Sequence, residues 1–157
     1  MKALRYLSLM LVLISTYTLA YPTLIKVENQ NLKIDKNWQS IELINAGIIL
    51  RSDEHYLGIK PITDTDIVEM PDGNKVSFKE IIIGSLTGKS ALPHAAIEMF
   101  VGVFNYSPLI KTETYTLYID KNNTLPDFVN AYLITNINSV IEITGKSTEA
   151  ILIDMIK

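Results

Sequence analysis

The chain has 157 residues, 14 basic and 17 acidic, with 48% apolar content and no cysteine, which excludes a disordered chain, a collagen-like chain, a disulfide scaffold and a polytopic membrane protein. Residues 1–20 hold Lys2, Arg5, no acid and fourteen of the apolar residues, so the remaining 137 carry 12 basic and 17 acidic groups. That net acidity disfavours a nucleic-acid partner, which requires clustered Lys and Arg to displace counterions from phosphates.

Residues 1–20 read as a secretory signal peptide. Lys2 and Arg5 form its positive start, Leu7 to Ile14 its apolar run, and Thr18-Leu19-Ala20 the small residues before a cut that leaves Tyr21 at the new N-terminus. Crossing a bilayer takes about 20 predominantly apolar residues, whereas Arg5 closes one end of this run and Ser15, Thr16 and Thr18 dilute the other. The expectation is export to the periplasm or beyond the cell, with no stable membrane span after cleavage. Residues 21–157 contain no repeat and no linker-like tract, and read as one globular β-rich domain.

Isoleucine occurs 23 times, and β-branched residues favour strands. Thr23–Val27 and Leu32–Ile34 are strand candidates, followed by Ile41–Ile44 and Ile48–Arg51 around Asn45-Ala46-Gly47, where Gly47 suits a turn or a bulge. Tyr56–Ile62 follows. Ile67–Met70 and Lys75–Ile83 enclose Pro71-Asp72-Gly73-Asn74, a hairpin turn by its chemistry. Residues 90–106 fit a helix starting near Pro93 or a strand over Met99–Tyr106; the first part favours the helix. Thr112–Ile119 reads as a strand with Tyr115, Leu117 and Ile119 on one face. Thr124-Leu125-Pro126-Asp127 has the chemistry of a helix start, with i,i+4 pairs Phe128/Tyr132 and Val129/Leu133 carrying the helix to about Asn136. Val140–Thr144 and Ala150–Ile156 close the chain as strands. The class expected is α+β, mostly antiparallel sheet with one or two short helices packed on one face.

Gly84-Ser85-Leu86-Thr87-Gly88-Lys89-Ser90 resembles a P-loop but holds three residues between its glycines where four are required, so no nucleotide and no cofactor is expected; it reads as a surface loop after a buried strand. Asp64-Thr65-Asp66 and Asp120-Lys121-Asn122-Asn123-Thr124 lack the glycine and the closing glutamate of a calcium loop, and no metal is expected. For acid–base chemistry the candidates are His55, beside Asp53 and Glu54, and His94 with Glu98 four residues on. Trp38, in Lys36-Asn37-Trp38-Gln39, reads as a core plug or an exposed binding anchor. Tyr115 and Tyr118 lie on opposite faces of their strand, one in the core and the other a surface aromatic among Thr112, Thr114 and Thr116; such a face suits sugar or peptide, or is an ordinary solvent-facing strand. The expected function is binding, by an exported accessory or interaction protein whose partner is a protein or another envelope component. The alternative is a small hydrolase or lyase using a histidine with a carboxylate.

Overall fold

The computed structural model describes residues 23–34, 38–45, 47–89, 92, 97–98 and 105–156. The signal-peptide reading, His94 and nearly all of residues 90–104 lie outside the described residues. Eleven strands and two helices are described: β1 (Thr23–Val27), β2 (Gln30–Ile34), β3 (Ser40–Ile44), β4 (Gly47–Arg51), β5 (Tyr56–Ile62), β6 (Ile67–Glu69), β7 (Lys75–Ser77), α1 (Phe78–Thr87), β8 (Tyr106–Lys111), β9 (Tyr115–Asp120), β10 (Phe128–Thr135), β11 (Val140–Lys146) and α2 (Glu149–Ile156). Seven strands form one antiparallel sheet in the order β3-β4-β5-β11-β10-β9-β8. The α+β, mostly antiparallel class expected from the sequence is what the chain adopts.

Both faces of the sheet are apolar at its centre. Leu57 and Ile59 of β5, Leu133 of β10, and Ile141 and Ile143 of β11 point to one face, where the β1–β2 hairpin and α2 cover them with Leu32, Ile34, Leu152 and Met155. Ile62, Tyr132, Ile134 and Val140 point to the other, under Ile82 and Ile83 of α1. Each face therefore carries one helix, in place of the single helical face expected, because apolar residues on both sides of a strand need a cover on both sides.

Five segments differ from the sequence reading. Residues 128–135 form β10, not a helix: Asp127 is left-handed with φ 57°, which no helix start tolerates. The i,i+4 pairs arise because a strand buried on both faces is apolar at nearly every position. Lys75–Ile83 is strand only as far as Ser77, after which α1 begins. The supposed loop after it, Gly84–Thr87, is the end of that helix, closed by Gly88 at φ 69° with its N–H donating to the Gly84 carbonyl. Ala150–Ile156 is helical, because Leu152, Met155 and Ile156 lie at helical spacing and are buried together; the Thr148 hydroxyl accepts the Ile151 N–H at its start. Residues 112–114 turn the chain between β8 and β9, so the expected strand at 112–119 begins at Tyr115.

The Pro71–Asn74 hairpin is present between β6 and β7, with Gly73 at φ 81° and Asp72 accepting the Asn74 N–H at 3.0 Å. Gly47 serves differently from expected. It needs no positive φ; a Cβ there would stand 2.2 Å from the Ile59 carbonyl oxygen, and one on Gly145 would stand 2.2 Å from that of Tyr56. Two close backbone approaches thus tie β4 and β11 to β5. Gly47→Ala and Gly145→Ala should each lower the unfolding free energy by about 1–3 kcal/mol in urea melts. Gly58→Ala, whose Cβ would meet only the Thr144 oxygen at 3.6 Å, should change it by less than about 0.5 kcal/mol.

Candidate functional site

The C-terminal half of α1, the β8–β9 turn and the β10–β11 turn enclose an open groove of about 660 Å³. From α1 it takes Ile83, Leu86 and Thr87, with Glu80 and Lys89 at the rim; Tyr118 and Ile134 form its floor. The β8–β9 side contributes Lys111 through Thr116, and the β10–β11 side Thr135, Asn136 and Asn138.

Turn chemistry holds these walls. The Thr112 hydroxyl accepts the N–H groups of Thr114 at 3.2 Å and Tyr115 at 3.1 Å, and the Thr112 N–H donates to the Tyr115 carbonyl. Thr135 accepts the Ser139 N–H, and Asn138 takes φ 59°. The Asn136 N–H donates to the Thr114 carbonyl at 2.8 Å, fastening one turn to the other. On the helix side, the Thr87 hydroxyl donates to the Ile83 carbonyl at 2.6 Å and accepts the Lys89 N–H.

Thr87, Thr112 and Thr135 are therefore engaged by their own loops. Thr116 and Tyr118 share the sheet face that α1 covers, and with Asn136 and Asn138 they line the groove with hydroxyls and amides that have no hydrogen-bond partner among the described residues. Tyr115 lies on the opposite face, against the first apolar cluster, and borders the groove at the turn. Two lysines and two glutamates at its rim offset one another, so the site carries little net charge. Next to Tyr118, on the same sheet face, Tyr106 and Tyr132 pack with ring centroids 5.1 Å apart, and burial pushes the phenol of Tyr118 above the ordinary tyrosine range. Burial does the same to Tyr106 and Tyr132, assisted by Asp120 and Glu142 beside Tyr106 and by Glu142 beside Tyr132.

The sequence-derived candidates separate. Tyr115 and Tyr118 come together at this groove, Tyr115 also packing against the first apolar cluster and Tyr118 against the second. Trp38 is half-buried against the first cluster, at the entry to β3. His55 closes the β4–β5 turn, where its backbone N–H donates to the Ser52 hydroxyl. Its Nδ1 is buried without a hydrogen-bond partner, and no described carboxylate bonds to the ring. Glu98 is exposed, and its intended partner His94 lies outside the described residues. The acids of the two rejected calcium loops are occupied locally. Asp66 is held below the usual carboxylate range by the Thr63 amide and hydroxyl, which donate to it at 2.7 and 2.9 Å, and by Lys60. Asp64 pairs with Lys79, and Asp120 accepts the Asn122 N–H. Among the described residues no group of three potential ligands stands close enough to hold a metal, and no helix is long and apolar enough to cross a membrane.

Sequence reasoning missed Asn136 and Asn138, which the expected helix and its end absorbed, and the contribution of α1, whose residues read as strand and loop. Comparison with family models, curated proteins and solved structures finds no match to this chain.

The buried phenols give a pH dependence. A phenol that ionises at higher pH in the folded chain than in the unfolded one leaves stability intact below the unfolded value of 10.0 and removes it as pH rises beyond. Urea midpoints should hold steady from about pH 8 to 9.5 and fall above about pH 10, and Tyr118→Phe should make that fall shallower.

Proposed function

We propose that the chain is exported and acts by binding, with the groove between α1 and the two turns as the ligand seat. The ligand class it suits is small, neutral and hydroxyl-rich, such as a short oligosaccharide. The observation that carries this reading is the set of unpartnered neutral groups lining one groove: the hydroxyls of Thr116 and Tyr118 and the amides of Asn136 and Asn138. Hydroxyls and amides both donate and accept, matching sugar hydroxyls, and tyrosine rings supply flat apolar surface with a polar tip. The groove's volume falls within the few hundred to about 1,000 Å³ usual for small-molecule sites. The balanced rim charges favour neither an anion nor a cation.

The hydrolase or lyase alternative draws no support from the described residues. His55 lies outside the groove and lacks a carboxylate partner there. Export rests on the leader alone, namely the charge, apolar run and small residues of positions 1–20.

Residues 21–157 contain every described strand, helix and core residue, and are the chain to titrate by NMR with maltotriose, cellotriose and chitotriose. At least one sugar should shift the amides of residues 112–118 and 135–138. Thr116→Val and Asn136→Ala should each weaken it about tenfold, or roughly 1.4 kcal/mol. No shift with any of the three, or shifts produced only by short peptides, would refute the sugar reading. Separately, N-terminal sequencing of the protein from envelope and medium fractions should begin at Tyr21. Recovery only in the cytosol with Met1 attached would end the export reading.

A further inference from the structure

The opposite end of the sheet carries a feature unrelated to the groove. β3 is its outermost strand, and all five residues, Ser40–Ile44, are exposed. An edge strand leaves alternate backbone N–H and C=O groups without a partner, and proteins blunt such edges with proline, lysine, bulges or covers. β8, the other edge, is blunted in three ways: Pro108 removes a donor, the register shifts between Pro108 and Ile110, and Lys111 ends the strand. β3 has no proline, no lysine and no register shift against β4.

The apolar pattern adds to this. Ile41 and Leu43 lie directly across from Leu50 and Ile48 of β4, which belong to the first apolar cluster. They extend that face beyond its cover, and Leu43 is 81% exposed. A free edge continuous with an uncovered apolar strip accepts another strand.

We propose that the strand it accepts is β3 of a second copy, paired antiparallel about a two-fold axis through Glu42. That register is self-complementary. Ile41 of each copy falls opposite Leu43 of the other, joining four aliphatic side chains on one face, and Ser40 falls opposite Ile44. Centring the axis on Leu43 would set Ile41 against Asn45, and centring it on Ile41 would set Leu43 against Gln39, so each loses half of the apolar pairing. On the opposite face the chosen register brings two Glu42 carboxylates together, an arrangement that repels unless neutralised. Each is neutralised within its own chain: Arg51 Nε stands 3.0 Å from Glu42 Oε1. The same ion pair argues against a foreign basic strand, because the edge presents no unmet charge for one to answer. A single strand pair buries less than the about 1,200 Å² of a standard interface, so the dimer is reversible, half-formed on the order of 10–500 µM.

Sedimentation equilibrium of residues 21–157, taken from about 5 µM to about 1 mM, should show a monomer–dimer equilibrium in that range. Leu43→Lys, at an exposed position, should leave the urea midpoint in place and weaken association about a hundredfold, since two-fold symmetry counts the substitution twice. Arg51→Gln should weaken it as well, and Glu42→Gln in that background should restore it, which is the signature of the Glu42-centred register. Amide exchange across residues 40–44 should slow as concentration rises. Thr116→Val, in the groove, should leave association unchanged, so failure of the sugar reading and failure of this one are separable. A monomer at every concentration, or a dimer indifferent to Leu43→Lys, would overturn the proposal; a dimer in which Glu42→Gln fails to rescue Arg51→Gln would overturn its register.

Discussion

β10 and β11 lie at the centre of the sheet with apolar side chains on both faces, and that double-sided burial dictates the rest of the architecture. Leu133, Ile141 and Ile143 have no access to solvent on one side, while Tyr132, Ile134 and Val140 are nearly as deeply buried on the other. Water on either face would cost about 25 cal/mol for each Å² of apolar area left exposed. The chain therefore supplies two covers from different regions, α1 from its middle and the β1–β2 hairpin with α2 from its two ends. With no cysteine available, this packing and the backbone ladders hold both covers to the sheet.

The same double burial explains which parts of the fold were legible in the sequence. Segments bounded by turn chemistry announce themselves: Tyr56–Ile62, which follows the polar Ser52–His55 stretch, is strand to the residue, and Pro71–Asn74 reads as a turn from its residue types. β10 was not legible, because Phe128-Val129-Asn130-Ala131-Tyr132-Leu133-Ile134 is apolar at almost every position and satisfies a helical period as readily as a strand's. α2 misleads in the opposite sense, since Ile151, Ile153 and Met155 alternate with Leu152, Asp154 and Ile156 and mimic a strand. Thr148, two residues ahead of Ala150, was the available cue, its hydroxyl accepting an N–H of the first turn. For α1 the cue was Ser77 followed three residues later by Glu80, a spacing typical of helix starts, although Ser77 makes no capping bond here.

The candidate site was legible to the extent that its chemistry is local. Tyr115, Tyr118 and the threonines around them share one segment, and their residue types alone suggested a binding surface. What makes that surface a groove is not local. The wall formed by Asn136 and Asn138 meets the β8–β9 turn through a backbone bond, Asn136 N–H to the Thr114 carbonyl, which joins residues 22 positions apart. A helix over residues 128–136 leaves no such meeting visible. Trp38 illustrates a different limit. The sequence allowed a core plug or a surface anchor, and the side chain sits between the two, half-buried against the first cluster at the start of the exposed edge strand.

Dimensions account for both the groove and the open edge. Seven strands spaced about 4.8 Å apart span roughly 29 Å, whereas a ten-residue helix is about 15 Å long and an eight-residue one about 12 Å. Neither helix can roof the whole sheet, so each face must end in residues that tolerate water or await a neighbour. At the β8–β9 end the uncovered surface is polar: threonines, asparagines and tyrosine tips line it, and β8 is blunted by Pro108 and its shifted register. At the β3 end the uncovered residues include Ile41 and Leu43 on one face and Ile44 on the other, on a strand that carries none of those protections. Burial of the sheet's centre would be served as well by a polar residue at position 43 as by leucine, since that position touches neither cover. Ile41 and Leu43 of β3 are thus surplus to the internal packing of one chain, and their alternation matches what an added strand with the same sequence would bury.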